Sequence, residues 1–198
     1  MMEIREVRAC SSLSALRAEP SSRAEQVSQA VPGEPLQMLR RERHWVRVRT
    51  AYAYEGWIAA RALDARPSAR WIVPDDGGDV LRQAEAYLGA PYLWGGMSRA
   101  GIDCSGLVHM AFRAIGRLVP RDAHEQEAAG HAVVADAVRP ADVITYGEAD
   151  IATHIAFWHP DGILHATDRE GVHRVLIEAE PESLRAIRRG AYRLAGDA

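Results

Sequence analysis

The sequence predicts an α+β protein in two parts: a small all-β barrel over residues 1–64, a linker over 65–78, and a larger mixed domain over 79–198. Three observations predict it. Before residue 65 the apolar residues come in short runs broken by Pro and Gly, with the two-residue period of half-buried strands. From Asp79 the spacing becomes helical, and from Val143 it returns to strand-like runs. A length of 198 residues allows one large domain or one medium and one small. Apolar residues at 47% and charged residues at 26% exclude disorder as the main state.

In the first part, Gln29–Val31, Pro35–Leu39, Trp45–Val48 and Gly56–Ile58 read as strands, with Pro32–Gly33 and Gly56 as turn punctuation. Several short strands in so short a stretch suggest a small barrel, which is expected to lean on its neighbour for stability. Residues 65–78 carry Pro67, Pro74 and the Gly77–Gly78 pair, and the apolar Trp71–Ile72–Val73 inside this linker is expected to dock. Val80, Leu81, Ala84, Tyr87 and Leu88 follow helical spacing, with Asp79 as N-cap and Gly89 as stop. After a loop over 90–96, Leu107, Val108, Ala111, Phe112 and Ile115 form a second helix closed by Gly116. Cys104 therefore falls in its first turn. Strands follow at Val143–Tyr146, His154–Trp158, Ile163–Thr167, Val172–Ile177 and Ala191–Leu194.

Charge and cysteine usage narrow the chemistry. The net charge is −3, so no basic surplus advertises nucleic acid or an anionic membrane. All 24 basic residues are Arg, which excludes lysine Schiff-base and P-loop chemistry. Cys10 and Cys104 alone cannot build a disulfide framework or a four-cysteine zinc site. No apolar run nears the ~18 residues of a membrane span, and residues 1–30 lack an export-signal core. A cytoplasmic monomer is expected, although a chain trimmed of its export signal would read the same.

Cys104 is the sharpest candidate. Its helix start brings partial positive charge and unpaired N–H groups, which favour thiolate. Asp103 and Ser105 are polar neighbours, unlike a core position, and Gly95–Gly96 permits close backbone approach. Cys10 lacks such a context and reads as a buried small hydrophobe. A thiol nucleophile needs an imidazole base, and the base needs a third group to orient it. If a hairpin closes with His159 opposite Gly162, then Ala156 faces His165 and His154 faces Thr167. His154 and His165 would then be diagonal neighbours on one face, with Cα atoms about 7–8 Å apart. A one-residue slip would separate them. A zinc site of His154, His159 and His165 is the alternative, but this register turns His159 to the other face. His44, His109, His124, His131 and His173 read as surface or core-edge residues, and Trp45 and Trp57 as barrel core.

Tyr92–Leu93–Trp94–Gly95–Gly96, Asp103–Cys104–Ser105–Gly106–Leu107–Val108, Pro120–Arg121, Gln126, Pro140–Ala141–Asp142, His154–Ile155 and His165–Ala166 follow one another in order. Over residues 79–194 this resembles the NlpC family of papain-like cysteine peptidases, which cut peptidoglycan stem peptides. Residues 1–64, through Ser28–Gln29, Gly33–Glu34, Trp45–Val46 and Gly56–Trp57–Ile58, resemble the bacterial SH3-like domain often fused upstream. The resemblance implies Cys104 as nucleophile, His154 as general base and His165 as the residue that orients it. It implies Tyr92 beside the nucleophile. It also implies a substrate-binding set of Trp94, Asp103, Ser105 and Tyr54 that holds the free amino end of L-Ala. The implied reaction hydrolyses the γ-D-glutamyl–diamino acid bond of peptidoglycan-derived peptides during wall-peptide recycling, with no metal or cofactor. Two positions depart from the family pattern: Ala123 replaces a serine that contacts substrate, and Ala141 replaces a turn glycine. An inactive wall-peptide binding module and a Cys–His acyltransferase are the alternative readings.

Overall fold

Alternation decides the first unit. The structure, a computed structural model, describes residues 6–75, 77–148 and 150–195 and divides into two units after Val73. In the first, strands β1 (Val7–Arg8), β2 (Ser14–Arg17), β3 (Gln26–Ala30), β4 (Leu36–Glu42), β5 (Trp45–Arg49) and β6 (Glu55–Ala59) form one antiparallel sheet in the order β1-β4-β5-β6-β2-β3. Val46 and Val48 point inward and Arg47 and Arg49 outward. The inner residues meet Cys10, Leu16, Ala30, Leu36, Met38 and Ile58 in one core. Cys10 is thus a core residue, and burial pushes its thiol pKa up. Residues 65–71 are tied to this unit: Ala9 and Ala65 exchange backbone hydrogen bonds, and Ser68 N–H donates to the Gly33 carbonyl at 2.9 Å. Trp71 and Ile72 are half-buried, while Val73 is exposed.

The second unit opens with α1 (Val80–Glu85), capped by the Asp79 carboxylate on the Leu81 and Arg82 amides. It is shorter than its apolar spacing suggests. Tyr87 and Leu88 bond three residues back instead of four, tightening the turn, and Gly89 then takes φ +79°. A small hairpin, β7 (Met97–Ser98) and β8 (Gly101–Ile102), precedes α2 (Cys104–Ala114). Next come α3 (Ala123–Ala129), β9 (His131–Val133), β10 (Val143–Tyr146), β11 (His154–His159), β12 (Gly162–Thr167), β13 (Arg174–Glu178), α4 (Glu182–Ala186) and β14 (Arg188–Arg193). The six strands β9–β14 form an antiparallel sheet ordered β13-β12-β11-β10-β14-β9.

One face of this sheet carries Val143, Ile155, Phe157, Leu164 and Val175, and onto it pack Leu81 of α1 and Leu107, Val108 and Phe112 of α2. Phe112 and Phe157 stack with centroids 6.3 Å apart. The opposite face gathers Ile144, Tyr146, Ala156, Ile163 and Ala191, covered in part by Leu184 of α4. The β11–β12 hairpin pairs His159 with Gly162, as the sequence predicts. Gly162 adopts φ +134°, and a Cβ there would overlap the Glu178 backbone. Ala141 sits at φ +76°, a conformation costing an L-residue about 1 kcal/mol. It is held there by its own N–H on the Trp158 carbonyl and by Asp142, which accepts from Arg139 N–H and both Arg193 donors.

Candidate active site

The start of α2 is fixed by an unusually complete set of hydrogen bonds. Oδ1 of Asp103 caps the Gly106 amide at 2.6 Å, and Oδ2 accepts the Gly95 amide at 2.8 Å, joining the helix to the 92–96 loop. Arg121, 1% exposed, donates to both Asp103 oxygens at 3.0 and 2.7 Å and to Ser105 Oγ at 2.9 Å. Gln126 of α3 donates to the Ser105 and Pro120 carbonyls at 3.0 and 2.8 Å. Only glycine fits at 106, where a Cβ would overlap the Gly96 carbonyl oxygen. The close approach expected of Gly95–Gly96 is therefore between that turn and the first turn of α2.

Cys104 projects from this rigid start toward β11. Its sulfur takes backbone hydrogen bonds from Ser105 and from Ile155, the residue after His154. Cys104, His154, Tyr92 and Trp94 line one cavity of about 330 Å³ with Thr153, Thr167, Asp168, Arg169, Ser183 and Leu184. Behind His154, Nε2 of its ring lies 2.8 Å from Nδ1 of His165, with ring centroids 5.1 Å apart and edge-on. The diagonal pairing expected of these two histidines is present. His159 lies on the other face and bonds Glu85 at 3.2 Å. Asp103 and Ser105 lie buried beside Cys104, held by Arg121. Tyr54 belongs to the first unit, packed on its core with its hydroxyl 3.4 Å from the Val27 carbonyl.

The resting charge state differs from the expected thiolate. Burial first, then the Asp103 charge, push the Cys104 thiol up to about 12, outweighing the N–H groups of Ile155 and Ser105. Burial, aided by His165, brings His154 down to about 3, and burial also lowers His165. The free site therefore rests as a neutral thiol beside neutral imidazole. Burial also raises the Tyr92 phenol well above its ordinary range, so Tyr92 keeps its proton as a donor. His109 is no surface residue: it is fully buried, its Nδ1 2.8 Å from the Val119 carbonyl, and burial lowers it to about 3.

Two residues of this arrangement escape sequence reasoning. Arg121 is visible in the sequence only as part of a Pro-Arg block, and its ion pair with Asp103 spans a loop of no fixed period. Glu178 bonds His165 Nε2 at 3.0 Å, but β13 reads as an ordinary half-buried strand.

Residues 89–185 match the NlpC/P60 family, and residues 11–64 match the bacterial SH3 domain family. The second unit belongs to the NlpC/P60 family. Its α+β arrangement is the papain-like fold of that family, and the first unit is the SH3-like all-β partner. The chain is 34% identical over 121 residues to the γ-D-glutamyl-L-lysine dipeptidyl-peptidase of Bacillus subtilis (strain 168), covering 60% of this chain but only 39% of that relative. The chain thus spans under two fifths of that relative's length. An NlpC/P60 family protein from Bacillus cereus superposes with a TM-score of 0.56 at 23% identity, over 94% of this chain and 62% of that one. The peptidoglycan hydrolase RipB of Mycobacterium tuberculosis superposes with a TM-score of 0.50 at 28% identity, over 60% of this chain and 64% of that one.

Proposed function

We propose that this NlpC/P60 unit is a cysteine peptidase of peptidoglycan-derived peptides, with Cys104 as nucleophile, His154 as general base and His165 as the residue that orients it. One observation carries the reading: a thiol at a helix start and a hydrogen-bonded imidazole pair open onto the same cavity. Because both groups rest neutral, the thiol proton passes to His154 as the sulfur attacks the amide carbon. The oxyanion is met by the backbone N–H groups around Cys104 and by the Tyr92 hydroxyl. Protonated His154 then gives its proton to the departing amine, and water, activated by the same ring, hydrolyses the thioester. No step calls for a metal or cofactor.

The bond cut is the γ-D-glutamyl–diamino acid amide, and the substrate presents a free N-terminal L-Ala, as in the recycling of wall peptides. The Bacillus subtilis relative, named for γ-D-glutamyl-L-lysine, supports the choice of bond. In this reading Trp94 and Ser105 line the amino-end subsite. Asp103, whose charge is paired with Arg121 and whose oxygens also accept from Gly95 and Gly106, holds the backbone beside that subsite in place.

Mass spectrometry of products from L-Ala-γ-D-Glu-diamino acid peptides, N-terminally free or acetylated, tests both levels. The free peptide is expected to be cleaved at the γ-bond, and Cys104→Ala is expected to abolish turnover. Equal turnover by Cys104→Ala would dismiss the nucleophile. Efficient cleavage of the acetylated peptide would dismiss the amino-end subsite of Trp94, Asp103 and Ser105 while leaving the nucleophile standing.

A further inference from the structure

The hydrogen-bonded chain behind Cys104 does not end at His165. Nε2 of His165 lies 3.0 Å from Oε1 of Glu178, and the other Glu178 oxygen accepts from Arg169 Nη2 at 2.7 Å. The β12–β13 register pairs Ile163 with Glu178 and His165 with Leu176, so Glu178 stands diagonally beside His165 on the same face. Partial burial alone would raise the Glu178 carboxyl, but hydrogen bonds from Arg169 and His165 bring it below its ordinary value, so it is ionised at neutral pH.

An ionised carboxylate can only accept, so the bond to Glu178 requires the His165 proton on Nε2. A neutral imidazole carries one N–H, which makes Nδ1 of His165 an acceptor. The 2.8 Å bond between the rings then requires the His154 proton on Nε2. That leaves Nδ1 of His154 bare, and Nδ1 is the nitrogen able to take a proton from the sulfur.

We propose that Glu178 is the positioning residue that sets the tautomers of His165 and His154, so that His154 offers an unprotonated Nδ1 to the Cys104 thiol. Arg169 keeps the carboxylate aimed at His165. Without Glu178, His165 can hold its proton on Nδ1 and donate to His154 Nε2. His154 then carries its own proton on Nδ1, where it cannot accept another. A wrongly protonated base is a severe fault even when every atom is in place. The assignment rests on the reading of Cys104 and His154 as nucleophile and base, but its first readout needs no turnover.

Nitrogen-15 NMR of the histidine rings at neutral pH reports each tautomer. In the intact protein, His154 and His165 are both expected with Nε2 protonated, and a His154 proton on Nδ1 overturns the proposal before any variant is made. Glu178→Leu is expected to move the His154 proton to Nδ1. It is also expected to slow alkylation of Cys104 by iodoacetamide by about 100-fold, the lower end of what a positioned general base contributes. On the peptide substrate, kcat should fall by a similar factor with KM within about twofold. Glu178→Gln keeps the shape: its single carbonyl turns to Arg169 and its NH2 faces His165, so the same tautomer shift is expected even if the leucine variant does not fold. Unchanged tautomers and alkylation in Glu178→Gln overturn the proposal. The expected tautomers in a protein that leaves the γ-glutamyl peptide intact support it and defeat the substrate reading alone.

Discussion

At the scale of single residues, the sulfur of Cys104 sits between opposing influences. The helix start and the Ile155 amide favour the anion, while burial and Asp103 oppose it more strongly. The order of the two pKa values follows, with the thiol at about 12 and His154 at about 3. A preformed thiolate–imidazolium pair would react with iodoacetamide at a rate flat from about pH 5 to 8. Here the proton leaves only to His154 during attack, so in His154→Ala, which removes that acceptor, the rate is expected to climb about tenfold per pH unit from about pH 7 upward, since free thiolate is then what reacts. A stopped-time alkylation series followed by intact mass measures it. That Cys104, His154 and His165 come together was legible because motif order and a two-residue period act over short distances. The resting charges were not, because desolvation depends on what covers the site from elsewhere in the chain.

At the scale of elements, the legible ones are those with an apolar period. α2 shows its buried stripe in Leu107, Val108, Ala111 and Phe112, and the β11–β12 register follows from the Pro160–Asp161 turn. α3 escaped, since Ala-His-Glu-Gln-Glu-Ala-Ala has no apolar stripe; its one signal is the capping box of Asp122 and Glu125. β1 and β2 escaped too, being too short or too polar to alternate. α3 matters because Gln126 and the preceding Arg121 brace the first turn of α2. Arg121→Met leaves the Asp103 carboxylate buried without its countercharge, and such losses cost about 3 kcal/mol or more. Urea unfolding followed by circular dichroism should show that loss. Arg185→Met, in a pair whose arginine is 66% exposed, should change stability by under about 0.5 kcal/mol.

At the scale of the whole molecule, three histidines, His109, His154 and His165, are kept neutral by burial in one unit. Their folded pKa values lie below the unfolded value of about 6.5. The unfolded chain therefore binds more protons as pH falls, and stability present above about pH 6.5 is lost progressively below it. Each histidine contributes a slope of up to about 1.4 kcal/mol per pH unit. Below about pH 4, protonation of Asp142 and Glu178 adds to the loss; both are held low by arginine hydrogen bonds despite partial burial. Denaturant unfolding of the second unit at pH 7.5, 6 and 5 is expected to give steadily lower midpoints, and a midpoint flat over that range would contradict buried neutral histidines.

The sheet order has a last consequence, for biosynthesis. The sulfur leaves the ribosome well before the ribbon that bears both imidazoles, and chains emerge amino end first. Until that ribbon closes on itself and docks, the emerging polypeptide carries an ordinary thiol with no proton acceptor. The Cys–His arrangement is thereby assembled only once residues 154–167 have emerged and paired.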